Sequence, residues 1–320
     1  MMKDSPLYTK SLSIGYPSIQ DHILLDNLNL SLYHGQLVCF MGPNGIGKST
    51  LIRTLAGSQK PISGEIHGIG NKNVAVVLTE RVNAGMMTAR ELVNYGRYPY
   101  LGWSVKMTEA DQSKIDEAVQ QVRIQDLLDK PIHELSDGQM QMVMIARALA
   151  QDTPVLLLDE PTAHLDLNNR VEIMNLLRKL TKENNKAILV STHELALALQ
   201  TADVVWLATS QKSIRVGLPE DLVLDGTFDE VFQFKGFDLK TGRVRQEPYR
   251  NTGVQLIGEG HAYLWTKNAL ERNGFHIDPN SSLTVKIETL PNGLSLSTHL
   301  NNETHTYQSI AELLSRLTKT

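Results

Sequence analysis

A single cysteine stands among the 320 residues, so no disulfide can form within the chain. Cys39 lies between Val38 and Phe40, the setting of a buried structural thiol rather than a reactive one. Long apolar runs are also absent. The densest, Val155-Leu156-Leu157-Leu158, falls far short of the roughly 18 residues that cross a bilayer and predicts a buried strand. The opening, Met1-Met2-Lys3-Asp4-Ser5-Pro6, lacks the apolar segment of an export signal. There is no long basic run, and 31 Lys+Arg against 35 Asp+Glu leave a net charge of −4, which argues against nucleic acid as the main partner. These absences predict a reduced, cytoplasmic protein. Apolar residues make up 41%, enough for a substantial core, and the length predicts one large domain and a smaller one.

The opening alternates apolar and polar residues, as in Leu28-Asn29-Leu30-Ser31-Leu32, the period of β-strands. His34-Gly35 predicts a turn, and Gln36–Met41 a buried strand running into a Gly-rich loop. Lys48–Ala56 predicts a helix stopped by Gly57. A short hairpin is expected around Pro61–Ile69, then a strand over Val74–Leu78. From Thr88 to about Gln125 the pattern is helical, broken by Pro99 and Gly102. Helices are expected over Gln139–Ala150, Asn168–Glu183 and after His193, with strands at Val155–Leu158 and Ala187–Ser191. Alternating strands and helices predict an α/β core with a mostly parallel sheet, preceded by an antiparallel β subdomain and interrupted by a helical insertion at about 80–150.

After about residue 234 the texture changes. A polar, charged stretch leads into a small α+β appendage over 235–320. It contains a strand (Val254–Ile257), a helix (Tyr263–Asn273), two strands (Leu283–Glu288 and Gly293–His299) joined at Pro291-Asn292-Gly293, and a last helix over Ser309–Leu317. No chemical motif falls in it. His261, His276, His299 and His305 are too scattered to suggest a metal site.

Three motifs carry chemistry. Gly42-Pro43-Asn44-Gly45-Ile46-Gly47-Lys48-Ser49 fits G-x-x-x-x-G-K-[ST], whose backbone N–H groups cradle phosphates. Lys48 would neutralise phosphate oxygens, and the Ser49 hydroxyl would bind Mg²⁺. Asp159 closes the strand Val155–Leu158, so its carboxylate emerges at the sheet's carboxyl edge, where it can hold Mg²⁺. Glu160, beside it, would orient or deprotonate an attacking water. His193 ends the next strand at the same edge. Ser136 and Gly138 precede a helix, where they either form an anion site or simply cap it.

The ordered set Gly42–Thr50, Leu135–Gln139, Val155–Thr162 and His193 resembles the ATP-binding subunit of an ABC transporter, over about residues 7–233. The resemblance implies a P-loop NTPase fold, with ATP and Mg²⁺ bound between two copies paired head to tail. Each ATP would be held by the phosphate loop of one copy and by Ser136, Gly138 and Gln139 of the other. It further implies that Tyr16 stacks on adenine and that Asp166 lies in the loop joining the two sites. Glu160 becomes the catalytic carboxylate and His193 the switch histidine. A separate membrane permease and, indirectly, a substrate-binding protein are the implied partners. The implied location is the cytoplasmic face of the inner membrane.

Two departures from the family pattern stand out. Asp137 replaces a glycine and is expected to cap the helix. Glu80 stands where a glutamine usually binds Mg²⁺, with Thr79 as the alternative. The segments Glu91-Leu92-Val93-Asn94-Tyr95-Gly96-Arg97-Tyr98-Pro99-Tyr100 and Ala146–Gln151 resemble most closely the ATPases of iron–siderophore, haem and cobalamin importers. The Tyr- and Arg-rich stretch is the expected docking surface. An exporter ATPase is the alternative. A soluble ABC ATPase acting on ribosomes or DNA fits less well, since the motif set occurs once and no sustained heptads intervene.

Overall fold

The computed structural model describes residues 5–17, 22–70, 72–79, 85–102, 106–244, 248–290, 293–300 and 303–318. The chain divides into two compact units, Met1–Gln233 and Phe234–Thr320.

The first unit opens with β1 (Leu7–Tyr16), β2 (His22–Leu28), β3 (Ser31–Leu32) and β4 (Leu37–Met41). Then come α1 (Lys48–Leu55), β5 (Ser63–His67) and β6 (Val74–Val77). β1 pairs antiparallel with β2, β3 and β5, forming the expected antiparallel subdomain. The hairpin expected at Pro61–Ile69 does not form. Only one strand lies there, and its edge is taken up by β1 rather than by a local partner.

Between β6 and β7 (Val155–Asp159) the described chain is helical. α2 (Ala89–Asn94) runs into a 3₁₀ turn at Tyr95–Tyr100 that contains Pro99. α3 (Glu109–Val122) and α4 (Asp137–Ala150) follow. All three α-helices start in a capping box: Thr88 with Glu91, Thr108 with Asp111, and Ser136 with Gln139. Each reciprocal pair satisfies two N–H groups that a helix start leaves open.

After β7 come α5 (Leu167–Asn184), β8 (Ala187–Ser191), α6 (Leu195–Thr201), β9 (Val204–Ala208) and β10 (Ile214–Gly217). Two short helices, α7 (Pro219–Leu224) and α8 (Thr227–Phe232), end the unit. The main sheet has the order β10-β9-β4-β8-β7-β6. Its strands are parallel except β10, which is antiparallel to β9. Strands β4, β7 and β8 are buried at every position, as strands covered on both faces must be. One core runs from Leu12, Ile14 and Leu25 of the antiparallel sheet through Leu51, Ile52 and Leu55 of α1 to Phe40, Leu157, Leu189 and Trp206 of the parallel one. Both faces of α1 are thereby fixed, and with them the loop before it.

The second unit has a short pair, β11 (Phe237–Asp238) with β12 (Arg243–Val244). β13 (Gly253–Ile257), α9 (Gly260–Arg272), β14 (His276–Ile277), β15 (Thr284–Leu290), β16 (Gly293–Leu300), β17 (Glu303–Tyr307) and α10 (Ile310–Leu317) follow. The sheet order is β14-β13-β15-β16-β17. β15 and β16 pair in hairpin register down to Leu290 opposite Gly293, while Pro291 and Asn292 themselves lie outside the described residues. Val254, Leu270, Phe275, Val285, Leu296 and Leu313 form a core of its own. Among the described residues no helix is long and apolar enough to cross a membrane.

Candidate functional site

β4 delivers the chain at Met41 into the glycine-rich loop, and α1 begins at Lys48 with Gly47 as its first flanking residue. Gly47 has φ +108°, where a side chain would be strained, and a Cβ there would also press on that of Leu24 at 3.1 Å. Lys48 is buried, and its Nζ donates to the carbonyls of Gly42 (2.9 Å) and Pro43 (3.0 Å), spanning the loop. Burial pulls its pKa below the ordinary lysine value, opposed by the carboxylates of Glu160 and Asp159. A cavity of about 940 Å³ opens in front of the loop. Asn44, Gly45, Gly47, Lys48, Ser49 and Thr50 line it, with Tyr16, Glu160 and His193 on its other walls. Tyr16 is half exposed, and its hydroxyl lies 3.4 Å from Oγ1 of Thr50.

Parallel register places Asp159, the last residue of β7, beside Ser191, the last of β8. Asp159 is buried, and its Oδ1 accepts a 2.6 Å hydrogen bond from the Ser191 hydroxyl. That hydroxyl also accepts from the backbone N–H of Glu160 at 3.0 Å. One serine therefore orients both acidic residues. Glu160 has φ +49°, an uncommon conformation for a side-chain-bearing residue. The turn brings its Oε1 within 2.5 Å of Nε2 of His193. Thr79 donates its hydroxyl to the carbonyl of Asp159 at 2.8 Å, whereas Glu80 lies outside the described residues.

Ser136, Gly138 and Gln139 do not join this cavity. Ser136 caps α4: its Oγ accepts from the N–H of Gln139 (3.2 Å), and Oε1 of Gln139 accepts from the N–H of Ser136 (3.1 Å). Asp137 is thus not the cap, because it is already the first helical residue. It lines a small cavity of about 80 Å³ with Thr79, Glu160 and His164. Asp166 caps α5, accepting at its two oxygens from the backbone N–H (2.9 Å) and side-chain Nδ2 (3.0 Å) of Asn169. Asn169 in turn packs onto Gly138, where a Cβ would come within 2.9 Å of it.

Sequence reasoning missed Ser191, and it missed His22 and Leu24 on the cavity wall. The sequence places Ser191 at the end of the strand before His193, but the pairing of that strand with the one ending at Asp159 comes only from the fold. The docking stretch divides in the folded chain. Tyr95 and Tyr98 are exposed and stacked at 4.7 Å, but Arg97 is buried and is no part of the surface. Met86, Met87, Tyr95, Tyr98, Leu101 and Met107 line a groove of about 540 Å³ there.

A phosphate loop between a buried parallel strand and a helix, facing an Asp-Glu pair at the end of the next strand but one, β7, defines a P-loop ATPase. The chain matches the ABC transporter family over residues 25–163 and the iron ABC transporter C-terminal domain over residues 250–318. It is 39% identical over 269 residues to an uncharacterised ABC transporter ATP-binding protein of Methanocaldococcus jannaschii, a match covering 79% of this chain and 92% of that protein. It is 34% identical over 238 residues to the iron(3+)-hydroxamate import ATP-binding protein FhuC of Bacillus subtilis, covering 71% and 87%. A solved dimeric bacterial ABC transporter cassette is similar with a TM-score of 0.58 at 26% identity, covering 67% of this chain and 98% of that one. The chain belongs to the ABC transporter ATP-binding family, and it is an ATP-binding, ATP-hydrolysing subunit.

Proposed function

We propose that this chain powers an importer for iron–siderophore, haem or cobalamin, working as a head-to-tail dimer on a separate membrane permease. The observation that carries the mechanism is the split of the motif set. Lys48, Glu160 and His193 line one cavity, with Asp159 buried beside Glu160 at the same sheet end, while Ser136 and Gly138 sit outside that cavity. A second copy, turned to present Ser136, Gly138 and Gln139 to the ATP, would complete the site. The N-terminus of α4 suits that task, because its N–H groups and dipole favour a phosphate.

The phosphate loop and Lys48 would hold the triphosphate, with Tyr16 against the adenine. Mg²⁺ fits the residues present, since Ser49 and the buried, hydrogen-bonded Asp159 offer hard oxygen donors beside the loop. Bound there, it would neutralise phosphate charge. Glu160 would take the proton of the attacking water, and His193 would hold Glu160 in position from 2.5 Å. The exposed groove on the helical insertion would receive the permease, its Met and Tyr side chains giving a largely apolar, adaptable surface with Glu91 and Asn94 as polar points on its wall.

The cargo class rests on the match of residues 250–318 to the iron ABC transporter C-terminal domain and on the likeness to FhuC. The test is loss of the chain from its own cells. Uptake of labelled ferric siderophore, haem and cobalamin is measured with and without the gene, and with Glu160→Gln in its place. Selective loss of one uptake supports the reading. Unchanged uptake of all three, or recovery of the chain with ribosomes instead of membranes, overturns it.

A further inference from the structure

Arg97 sits behind the groove and is almost fully buried, an unusual place for a guanidinium. Three groups hold it. Its Nε donates to Oδ1 of Asp111 at 2.9 Å, its Nη1 donates to the carbonyl of Ala150 at 3.0 Å, and its guanidinium carbon lies 4.0 Å from the centre of the Tyr100 ring. Oδ2 of Asp111 accepts from the N–H (3.0 Å) and hydroxyl (2.7 Å) of Thr108, so the same carboxylate closes the start of α3.

The bond to Ala150 ends at the last residue of α4, whose other end is capped by Ser136. α4 is tied to the sheet as well. Arg147 donates to the carbonyl of Val76 (3.2 Å) and Gln151 to that of Val74 (3.1 Å). Both carbonyls belong to β6, which pairs with the strand that ends in Asp159. Gly96 presses the backbone against α4 directly, since a Cβ there would lie 2.2 Å from the carbonyl oxygen of Arg147. The residues on either side of this pair, Tyr95 and Tyr98, face the groove. A displacement of that wall therefore reaches α4 both through the backbone contact at Gly96 and through one planar, many-donor side chain hydrogen-bonded to its last residue. A continuous helix of 14 residues carries it about 20 Å to Ser136.

We propose that Arg97 is a positioning residue for ATP turnover: it locks the docking groove to the C-terminal end of α4 and so sets where Ser136 is presented to the partner's ATP. The inference rests on the head-to-tail reading given above. Arg97 does not line the cavity at the phosphate loop, so it has no direct part in holding nucleotide.

The test compares the full chain with Arg97→Lys and with the charge-balanced double variant Arg97→Met/Asp111→Asn. The double variant leaves no lone buried charge and keeps an acceptor for Thr108. Melting temperature, affinity for a fluorescent ATP analogue, and kcat and KM for Mg-ATP are measured. ATP-driven dimerisation is followed with Glu160→Gln added to each. The expected result is unchanged nucleotide affinity and near-normal melting, with kcat lowered about 3- to 30-fold and the dimer forming only at higher ATP. Lysine, a compact point charge unable to reproduce the planar fork, should fall between. Variants with normal affinity, normal kcat and normal dimerisation overturn the proposal, as does a loss of kcat matched by an equal loss of affinity. Failure of the head-to-tail reading shows differently, in unvaried Arg97 chains that hydrolyse ATP but remain monomeric when carrying Glu160→Gln, and it takes this proposal with it.

Discussion

Nε2 of His193 and Oε1 of Glu160 lie 2.5 Å apart, joining residues that follow two neighbouring strands of the parallel sheet. The pair exists because β7 and β8 run parallel and in register, so their ends arrive together. It also requires Glu160 to adopt positive φ, a conformation that costs about 1–3 kcal/mol and persists only where neighbours impose it. Ser191 imposes it here, through two hydrogen bonds to the N–H of Glu160.

Glu160→Gln should bind ATP with near-normal affinity, lose hydrolysis by two orders of magnitude or more, on the scale of general-base catalysis, and accumulate as an ATP-loaded dimer. Single-turnover hydrolysis and light scattering measure both. Near-normal turnover would remove Glu160 from its proposed part.

Ser191→Ala should weaken both function and fold. It strips the buried Asp159 of its 2.6 Å donor and leaves the N–H of Glu160 with one acceptor fewer. The expected loss is about 1–3 kcal/mol in chemical denaturation, together with a lower kcat. Unchanged stability and rate would show that Ser191 merely fills space.

Asp111 sets a pH dependence. The N–H and hydroxyl of Thr108, and then Arg97, hold its carboxyl at about 2 against an ordinary 3.8. Because the folded value is the lower one, its contribution is fully present above about pH 4 and is lost as the pH falls toward about 2. Asp111→Asn should therefore flatten the decline of stability in that window, seen as denaturation midpoints against pH. Parallel curves for the two proteins would refute this.

Cys39 should resist thiol reagents at neutral pH. Burial, with a smaller contribution from Asp203, raises its pKa to about 12, and only the thiolate reacts. Alkylation should follow the unfolding curve in denaturant. Fast labelling of the native protein would show that β4 opens readily.

Several parts of this molecule were legible from spacing alone. The loop Gly42–Ser49, the strand ending at Asp159 and the helix stopped by Gly57 rest on local rules: glycine's conformational freedom, apolar runs and breakers. β9, which carries Val204-Val205-Trp206-Leu207-Ala208, has no such marker, although its composition suits a strand. The pattern there is short, and only pairing with β4 gives it a place in the sheet. The expected hairpin at Pro61–Ile69 failed for the converse reason, since turn residues suggested a local partner and β1 supplied a distant one.

The amino-acid order by itself determined which groups could hold a nucleotide, because a phosphate loop is a contiguous stretch whose geometry depends on its own glycines and lysine. Only the tertiary structure decided that Ser191 governs both acids, that Asp137 lies inside the helix it was expected to cap, and that Arg97 is buried behind the docking groove instead of displayed on it. Those facts depend on strand register and on packing between segments up to 53 residues apart, as with Arg97 and Ala150. No local rule encodes such long-range neighbours.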